Sequence, residues 1–518
     1  MERKGTKVMK KQALLLTVLL GFNATANAAD LMQVYQQALF SDPTYQQAIA
    51  QRLSDKESVP IAASVLLPQA SVNGGPSLTK FNQAAAQGNP AINTTSRGYS
   101  VTLALSQTVF NYAQFKALTG AGAVSKGADA TLNAAAQNLM LRVAQAYFTV
   151  LKDEDNLVYN RANKKAFAKQ YDQINQQYKV GLKTVTDVYT AKASYDTASA
   201  AYIAAQTTLS NDQENLRAIT GNVYPSLATL SEKFPLISPQ PADMEAWVET
   251  AKLQNWSIKA TQLASQAARE NVKQQFGGHL PTVSLQGSYN VAYNNNLTGT
   301  TDTGTSSIPE TTTFFAPTKT HTSDASVTLN FGVPIFQGGA VVAQTDQARY
   351  GYQVATQKSE QALRQTINST RQSYLGVIAG IQQIKADKQA VKSTESSLEG
   401  LQSGYHVGTQ TLVDVLNQQQ KVFQAQTQYA TDRYAYVNNL LLLKQAAGTL
   451  SADDLQAINA WLVNRENDDE DVTMEQVDAT PSKSTKTHLK KTVAAAKPST
   501  PKRITLAKAG MTDLTLSP

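Results

Sequence analysis

The sequence YKVGLKTVTDV at residues 178–188 returns as YHVGTQTLVDV at residues 405–415. Both stretches centre on a glycine, which is followed by a threonine and, three residues further on, by an aspartate. Such a glycine often ends a helix in the left-handed conformation, and a threonine with an acid three residues later is typical of the N-cap of a following helix. The stretch therefore predicts a helix–turn–helix hairpin that occurs twice in the chain.

The repeat extends beyond the two turns, because other segments match at the same offset. Tyr147 matches Tyr374, 227 positions later, and the glycine that ends LRAITG matches the glycine that ends LKQAAG. Internal repeats of this kind indicate a duplicated structural unit. We predict a first repeat at residues 29–221, a proline-rich linker at residues 222–243, and a second repeat of the same unit at residues 244–460.

Helical periodicity dominates each repeat. In the first repeat, a helix at residues 31–66 is interrupted near Asp42-Pro43, because proline breaks a helix. Apolar residues spaced by four and three then indicate a coiled-coil helix at residues 111–178, which is roughly 100 Å long at the rise of an α-helix. After the glycine turn, a further helix is predicted at residues 185–218.

Two strands precede the long helix in each repeat. The segment GYSVTLALSQ alternates apolar with small or polar residues, as a half-buried strand does. We predict strands of about 9 to 11 residues, the length that a tilted membrane strand needs. Loops rich in Asn, Thr, Gly and Ser are predicted between the paired strands, at residues 81–97 and 294–323.

The two ends of the chain differ in composition from the repeats. Residues 1–28 combine a basic start, the apolar run ALLLTVLLGF and the small-residue motif ANA, which together predict a signal peptide. Residues 461–518 are rich in charge, Thr and Pro and are predicted to be a disordered tail. The net charge of +7 comes largely from the signal peptide, which argues against nucleic-acid binding.

The residue types present argue against a metal site, a cofactor or catalysis. The 518 residues include no cysteine and only four histidines, which are far apart in the sequence. Cysteine-ligated metals and disulfides are therefore excluded, and the histidines lack ligand spacing. No paired-carboxylate or Ser/His/Asp arrangement is evident, so we predict no cofactor and no enzymatic activity.

An exported chain with alternating strands and no apolar run long enough for a membrane helix is compatible with a soluble sandwich or with a membrane β-barrel. The chain supplies four strands and no second sheet to cover their apolar face, which favours the membrane. Four strands cannot close a barrel, for which about eight are the practical minimum. If the strands lie in a membrane, several chains must therefore build one barrel together, with the helices continuing below it as a coiled-coil tube.

The chain resembles the TolC family of outer-membrane channel proteins over about residues 29–460. The resemblance rests on the order of segments that include DLMQVYQQAL, YKVGLKTVTDV, LRAITGNVYP, GHLPTVSL, FGVPIFQGG, GYHVGTQTLVDVLNQQQ and LLLLKQAAGTLS. It implies an α+β membrane protein: a homotrimer with a 12-stranded β-barrel in outer-membrane lipid, four strands per chain, continued by a long α-helical coiled-coil barrel in the periplasm.

The function that the resemblance implies is an exit duct for small molecules such as drugs and toxic compounds, and for proteins. The duct would serve a tripartite efflux pump or a type I secretion system, with a periplasmic adaptor (membrane fusion) protein and an inner-membrane pump of the RND, ABC or MFS type. A trimeric surface adhesin or structural stalk is the alternative. The duplication favours the duct, because a stalk needs no glycine turn that reverses its helices.

The resemblance also assigns roles to residues at the two turns. It implies a periplasmic gate at Asp414, Asn417, Gln410, Tyr405, Thr186 and Asp187. It implies adaptor contacts at the tips, which are Gly181, Leu182, Gly408 and Thr409. Two positions depart from the family pattern, because Gln410 stands where an arginine is usual and Asn417 where a second aspartate is usual. We expect a gate that is less tightly held and attracts cations less strongly, unless the two aspartates are helix caps only.

Overall fold

The computed structural model describes residues 28–83, 91–302, 312–315 and 318–463. The predicted signal peptide lies outside the described residues, apart from its last residue. Among the residues that are described, no helix is both long enough and apolar enough to cross a membrane.

Five helices belong to the first repeat, and their bounds agree closely with the prediction. They are α1 Leu31–Ser41, α2 Pro43–Lys56, α3 Ser58–Ser64, α4 Tyr112–Lys179 and α5 Val185–Thr220. The predicted interruption lies between α1 and α2, where the Asp42 carboxylate accepts a hydrogen bond from the Tyr45 amide at 2.8 Å. The same carboxylate is 2.6 Å from the guanidinium of Arg142 on α4. This ion pair holds the junction of α1 and α2 against the long helix.

The second repeat follows the same order, except that one helix, Trp256–Phe276, stands in place of α2 and α3. Its helices are α6 Met244–Gln254, α7 Trp256–Phe276, α8 Ala340–His406 and α9 Leu412–Ala447, followed by α10 Ala452–Asn459. The long helices α4 and α8 have 68 and 67 residues, so each spans about 100 Å. Helices α4 and α5 form the first hairpin, and helices α8 and α9 form the second.

One antiparallel sheet combines strands from both repeats. Its members are β1 Gln69–Gln83, β2 Ala91–Asn111, β4 Thr282–Asp302, β5 Thr312–Phe315 and β6 Thr318–Gly332, whereas β3 Thr229–Leu230 pairs separately with β7 Leu462–Val463. Strands β5 and β6 pair with β4 in a single register, from Asp302 opposite Thr312 to Thr282 opposite Gly332. The sheet therefore has four strand positions, the number that the sequence predicts, and their order is β1, β2, β4 and β5/β6.

The predicted strand length of 9 to 11 residues is wrong. Strands β1 and β6 have 15 residues each, and β2 and β4 have 21 each. Much of what was predicted as polar loop is paired, as at Thr94 opposite Gly299 and Asn295 opposite Lys319. The backbone ladder does not need apolar side chains, and the many threonines of these segments have a high strand propensity.

The two faces of the sheet differ in polarity, and the apolar face is exposed. On β2, Leu103 lies opposite Val72 of β1 and Tyr289 of β4, and all three side chains are about half exposed or more. On the other face, the Thr102 hydroxyl donates to the Asn290 side-chain oxygen at 2.9 Å. An exposed apolar surface that continues across neighbouring strands marks a contact with lipid or with another chain.

The main hydrophobic core joins the linker to the helices of both repeats. The Tyr147 hydroxyl donates to the carbonyl oxygens of Ala228 at 2.7 Å and Ala29 at 3.1 Å. The hydroxyl of Tyr374, its counterpart in the second repeat, donates to the Ala242 carbonyl at 2.9 Å. The buried Arg433 donates to the Leu230 carbonyl. The linker is therefore packed against the helical hairpins.

The first three residues of the predicted tail, at residues 461–463, are part of the folded structure. Trp461 packs against the main core, and Leu462–Val463 pair with Thr229–Leu230 of the linker. The pairing of two short segments far apart in sequence leaves no periodic pattern from which it could be predicted. Residues 464–518 lie outside the described part of the chain.

Candidate functional site

Each hairpin ends in a glycine turn, and the two turns have the same geometry. We define the first tip as residues 180–184 and the second tip as residues 407–411. Gly181 and Gly408 have φ values of 79° and 83°, in the left-handed region that L-residues with a side chain disfavour. The amides of Leu182 and Thr409 each donate, at 2.9 Å, to the carbonyl five residues earlier. This is the hydrogen bond of a Schellman C-cap.

A reciprocal cap begins the helix after each turn. The Asp187 carboxylate accepts from the Thr184 amide at 3.0 Å and from its hydroxyl at 2.9 Å, and the Asp187 amide donates back to that hydroxyl at 3.2 Å. Asp414 and Thr411 repeat the arrangement, with distances of 3.1, 2.6 and 3.2 Å. The predicted caps are therefore confirmed in both repeats, with Asp in place of the more usual Glu or Gln.

The caps keep both acids ionised. Backbone and hydroxyl hydrogen bonds from Thr184 hold the pKa of Asp187 below its usual range, and the charge of Lys183 adds to the effect. The hydroxyl and backbone hydrogen bonds from Thr411 lower the pKa of Asp414 in the same way. Each carboxylate thus caps its own helix and still carries a negative charge at the end of a hairpin.

The other predicted gate residues lie close to the tips but do not bond to one another. The side chain of Gln410 packs on Gly404 of its own hairpin. The approach is so close that a Cβ added at Gly404 would lie 2.7 Å from Cγ of Gln410. Thr186 is exposed in the first turn of α5, and Asn417 is exposed in the second turn of α9. The Tyr405 hydroxyl is buried and lacks a hydrogen-bond partner. Thus no hydrogen bond joins Tyr405 to Asp187.

A small hydrophobic cluster, which we call the tip cluster, joins the two hairpins near the turns. Its buried members are Phe167, Ile174, Ala191 and Ala198 of the first hairpin and Leu412 and Leu416 of the second, and Tyr405 packs against it. The ammonium nitrogen of Lys183, in the first tip, lies 4.6 Å from the centroid of the Tyr405 ring.

Sequence reasoning missed both the tip cluster and Lys183. The cluster brings together residues that are more than 200 positions apart, for which a single sequence contains no signal. Lys183 could have been found as the one basic residue inside either glycine turn. Its aromatic partner could not have been found, because it belongs to the other repeat.

Comparisons with known proteins agree with this architecture. The family model described as outer membrane efflux protein matches residues 34–222 and again residues 247–449. The chain belongs to the outer membrane efflux protein family. It is 38% identical to the outer membrane protein TolC of Escherichia coli over 443 residues, 85% of this chain and 86% of that protein.

Two further similarities support the assignment. The alkaline protease secretion protein AprF of Pseudomonas aeruginosa is 26% identical over 445 residues, which cover 85% of this chain and 89% of that protein. The crystal structure of CusC superposes with a TM-score of 0.67 at 17% identity, covering 83% of this chain and 95% of that one. The second similarity concerns the fold alone, which is that of the TolC-like outer-membrane channels.

Membership in the outer membrane efflux protein family determines location and function at a general level. The protein is an outer-membrane exit duct for efflux and secretion, and members of the family are channels, not enzymes. They are the outer-membrane components of systems that include inner-membrane and adaptor partners. An adhesin or a stalk, the alternative considered from the sequence, has no support among these relatives.

Proposed function

We propose that three copies of the chain form one duct. Three sheets of four strand positions make a 12-stranded barrel in the outer membrane, and six hairpins continue it as a helical barrel through the periplasm. The proposal is supported by the outer edges of β1 and β6, which pair with no other strand in the described part of the chain. Strand edges cannot stay unpaired in lipid, and four strand positions are too few to close a barrel.

The tips are proposed as the narrow periplasmic end of this duct. The gate consists of Asp414, Asn417, Gln410, Tyr405, Thr186 and Asp187. Support comes from the ionised caps, which give each chain one carboxylate in the first turn of the helix after each tip, and from the tip cluster, which holds the two hairpins of a chain together. Because Gln410 is neutral and packs on its own turn, it contributes no ion pair across the opening, where an arginine could form a bidentate one with a carboxylate. Asn417, in the helix after the second tip, likewise gives each chain one carboxylate fewer than the family pattern.

The exposed ends of the two turns are proposed as the adaptor-binding surface. Gly181, Leu182, Gly408 and Thr409 form it, and the Leu182 side chain is 72% exposed, which suits an apolar contact with a partner. The adaptor would connect the duct to an inner-membrane pump of the RND, ABC or MFS type. Drugs and other toxic small molecules, and proteins, are the proposed cargo, in line with the efflux and protease-secretion names of the relatives.

The single observation that carries the proposal is the exposed apolar face of the sheet. Its direct test is reconstitution of the purified protein in planar lipid bilayers. We expect stepwise conductance increases, and light scattering of the same purified protein should give the mass of three chains. Leu103→Lys puts a charge on the apolar face and should abolish insertion, because a cation facing lipid costs about 2–4 kcal/mol at mid-depth. Thr102→Lys, on the opposite face of the same strand, is the matched control and should insert. Equal insertion of both variants, or folded protein that never conducts, would contradict the proposal.

A further inference from the structure

The two hairpins of a chain meet at their tips through apolar packing and one charged contact. The region around the tips is fully described, at residues 165–195 and 395–420, and no hydrogen bond or ion pair in it joins the first hairpin to the second. The carboxylates of Asp187 and Asp414 are engaged in their own caps, and Gln410 packs on its own hairpin. Lys183 alone among the polar tip side chains reaches the other hairpin.

The contact of Lys183 is with the ring of Tyr405, at 4.6 Å between the ammonium nitrogen and the ring centroid. A cation this close to an aromatic face is attracted by the negative potential of the ring. Lys183 is partly buried, and none of the described carboxylates lies within ion-pair distance of its ammonium. The ring is therefore its contact with the second hairpin, whereas within the first hairpin its charge also acts on Asp187.

Tyr405 contacts the neighbouring hairpin through its ring and forms no hydrogen bond to it through its hydroxyl. The hydroxyl is buried without a partner, while the ring packs on the tip cluster. A movement that separates the two tips must therefore break the Lys183 contact and expose one side of this ring.

We propose that Lys183 is a positioning residue of the gate, which ties the first tip to the second through the Tyr405 ring and places a positive charge beside the opening. This inference rests on the proposed function, in which the tips form the narrow end of the duct. The replacement of the usual arginine by Gln410 predicts a gate without a cation. Lys183 supplies one, from the first repeat instead of the second.

The test measures the distance between the tips within one chain. The protein has no cysteine, so Val180→Cys and Val407→Cys, at exposed tip positions, can carry a pair of spin labels. Labelled full-length chains are diluted with unlabelled chains, so that each assembly contains at most one labelled chain. Pulsed electron–electron double resonance then gives the distribution of distances between the two labels of one chain.

Lys183→Met removes the charge and keeps the length of the side chain. We expect the population with separated tips to rise about fivefold, as the loss of one partly exposed cation–π contact implies. Lys183→Arg keeps the cation, and Tyr405→Phe keeps the ring while removing only the unpartnered hydroxyl, so both should leave the distribution unchanged. Lys179→Met, which removes an exposed lysine near the same tip, is the matched control.

A double-mutant cycle of Lys183→Met and Tyr405→Leu separates the loss of the Lys183–Tyr405 contact from the loss of the lysine charge alone. Once the ring is absent, adding Lys183→Met should widen the distribution no further. A distribution for Lys183→Met that matches that of Lys179→Met would overturn the inference. So would equal widening by Lys183→Met in the presence and absence of the ring. The conductance of the unlabelled protein is measured in parallel, because an absence of conductance would overturn the proposed function and leave the distance result to decide on Lys183.

Discussion

The hydroxyl of Thr411 lies 2.6 Å from the carboxylate of Asp414, so the acid predicted to face the opening of the duct is also the cap of its own helix. The two roles make different demands. Capping needs an acceptor for the Thr411 hydroxyl and amide, whereas cation attraction needs a negative charge.

Two substitutions separate these roles. Asp414→Asn retains an oxygen acceptor and removes the charge, so we expect a lower permeability ratio of K⁺ to Cl⁻ in reconstituted channels. Thr411→Val removes the cap hydroxyl and keeps the charge, so we expect weaker thermal stability with nearly unchanged selectivity. Unchanged selectivity in Asp414→Asn would exclude the charge role and leave the cap as the whole function of this acid.

The left-handed glycine of the second tip gives a prediction about stability. An alanine at position 408 would meet no atom within 4 Å but would keep the φ of 83°, so its cost is conformational. We expect Gly408→Ala to destabilise the protein by about 1 kcal/mol, seen as a lower midpoint of thermal unfolding. Gly400→Ala is the control, because this glycine lies inside α8 and also has open space. Alanine at position 400 should raise the midpoint of thermal unfolding, because it favours the helix. A similar fall of the midpoint in both variants would contradict a conformational cost at Gly408.

Two buried aspartates, each beside a second, partly exposed carboxyl of its own hairpin, predict a pH dependence of stability. Burial and a hydrogen bond with the Asp212 carboxyl raise the pKa of Asp153 to about 6, against the opposing charge of Lys152 at 3.2 Å. In the second hairpin, burial and the Asp432 carboxyl raise the pKa of Asp387 to about 6. Because the folded protein binds these protons more tightly than the unfolded chain does, stability falls as the pH rises from about 4 to 6.

The variant that tests this dependence is Asp153→Asn, which mimics the protonated acid. We expect it to stabilise the hairpin at pH 7.5 by on the order of 1 to 2 kcal/mol and to have little effect near pH 4. Thermal unfolding of the purified protein, followed by helical circular dichroism across this pH range, measures both. A variant that is less stable than the parent at every pH would contradict the prediction.

Removing the hydroxyl of Tyr147, the core tyrosine that hydrogen-bonds the linker, should lower the thermal stability of the protein more than Gly408→Ala does. Tyr147→Phe leaves the Ala228 carbonyl without the hydroxyl donor at 2.7 Å, whereas the Ala29 carbonyl still accepts from the Ala228 amide at 3.0 Å. Because an unsatisfied buried polar group costs about 1–3 kcal/mol, we expect a clear fall in the unfolding midpoint. Tyr350→Phe, at a side chain that is 67% exposed, is the control and should change the midpoint little. Equal midpoints for the two variants would contradict the role of Tyr147.

The features that the sequence predicted well are local or periodic. The bounds of α4 differ by one residue from the prediction, and the turn at Gly408 with its Thr411 cap follows from residue types within one short stretch. What it could not predict depends on tertiary placement. The contact of Lys183 with Tyr405 joins two repeats, and the pKa of Asp153 depends on a carboxyl from the neighbouring helix.

The strands show the same limit for a different reason. The alternation of apolar and polar residues ends before the backbone pairing between the strands does. The alternation alone therefore predicts strands that are too short. The pairing of the polar segments depends on neighbouring strands that stay in register, which a pattern within one strand does not record.

The central claim, that the chain forms a duct narrowed at its tips, is tested most directly by blocking the conductance from within. Asn417→Cys supplies the only thiol of the protein, and a bulky thiol reagent is added while single channels are recorded in a planar bilayer. The account predicts a stepwise fall in conductance that a reducing agent reverses, with no response from the cysteine-free parent. A labelled variant whose conductance stays unchanged would contradict the claim that the opening of the duct is narrowest at the second tip.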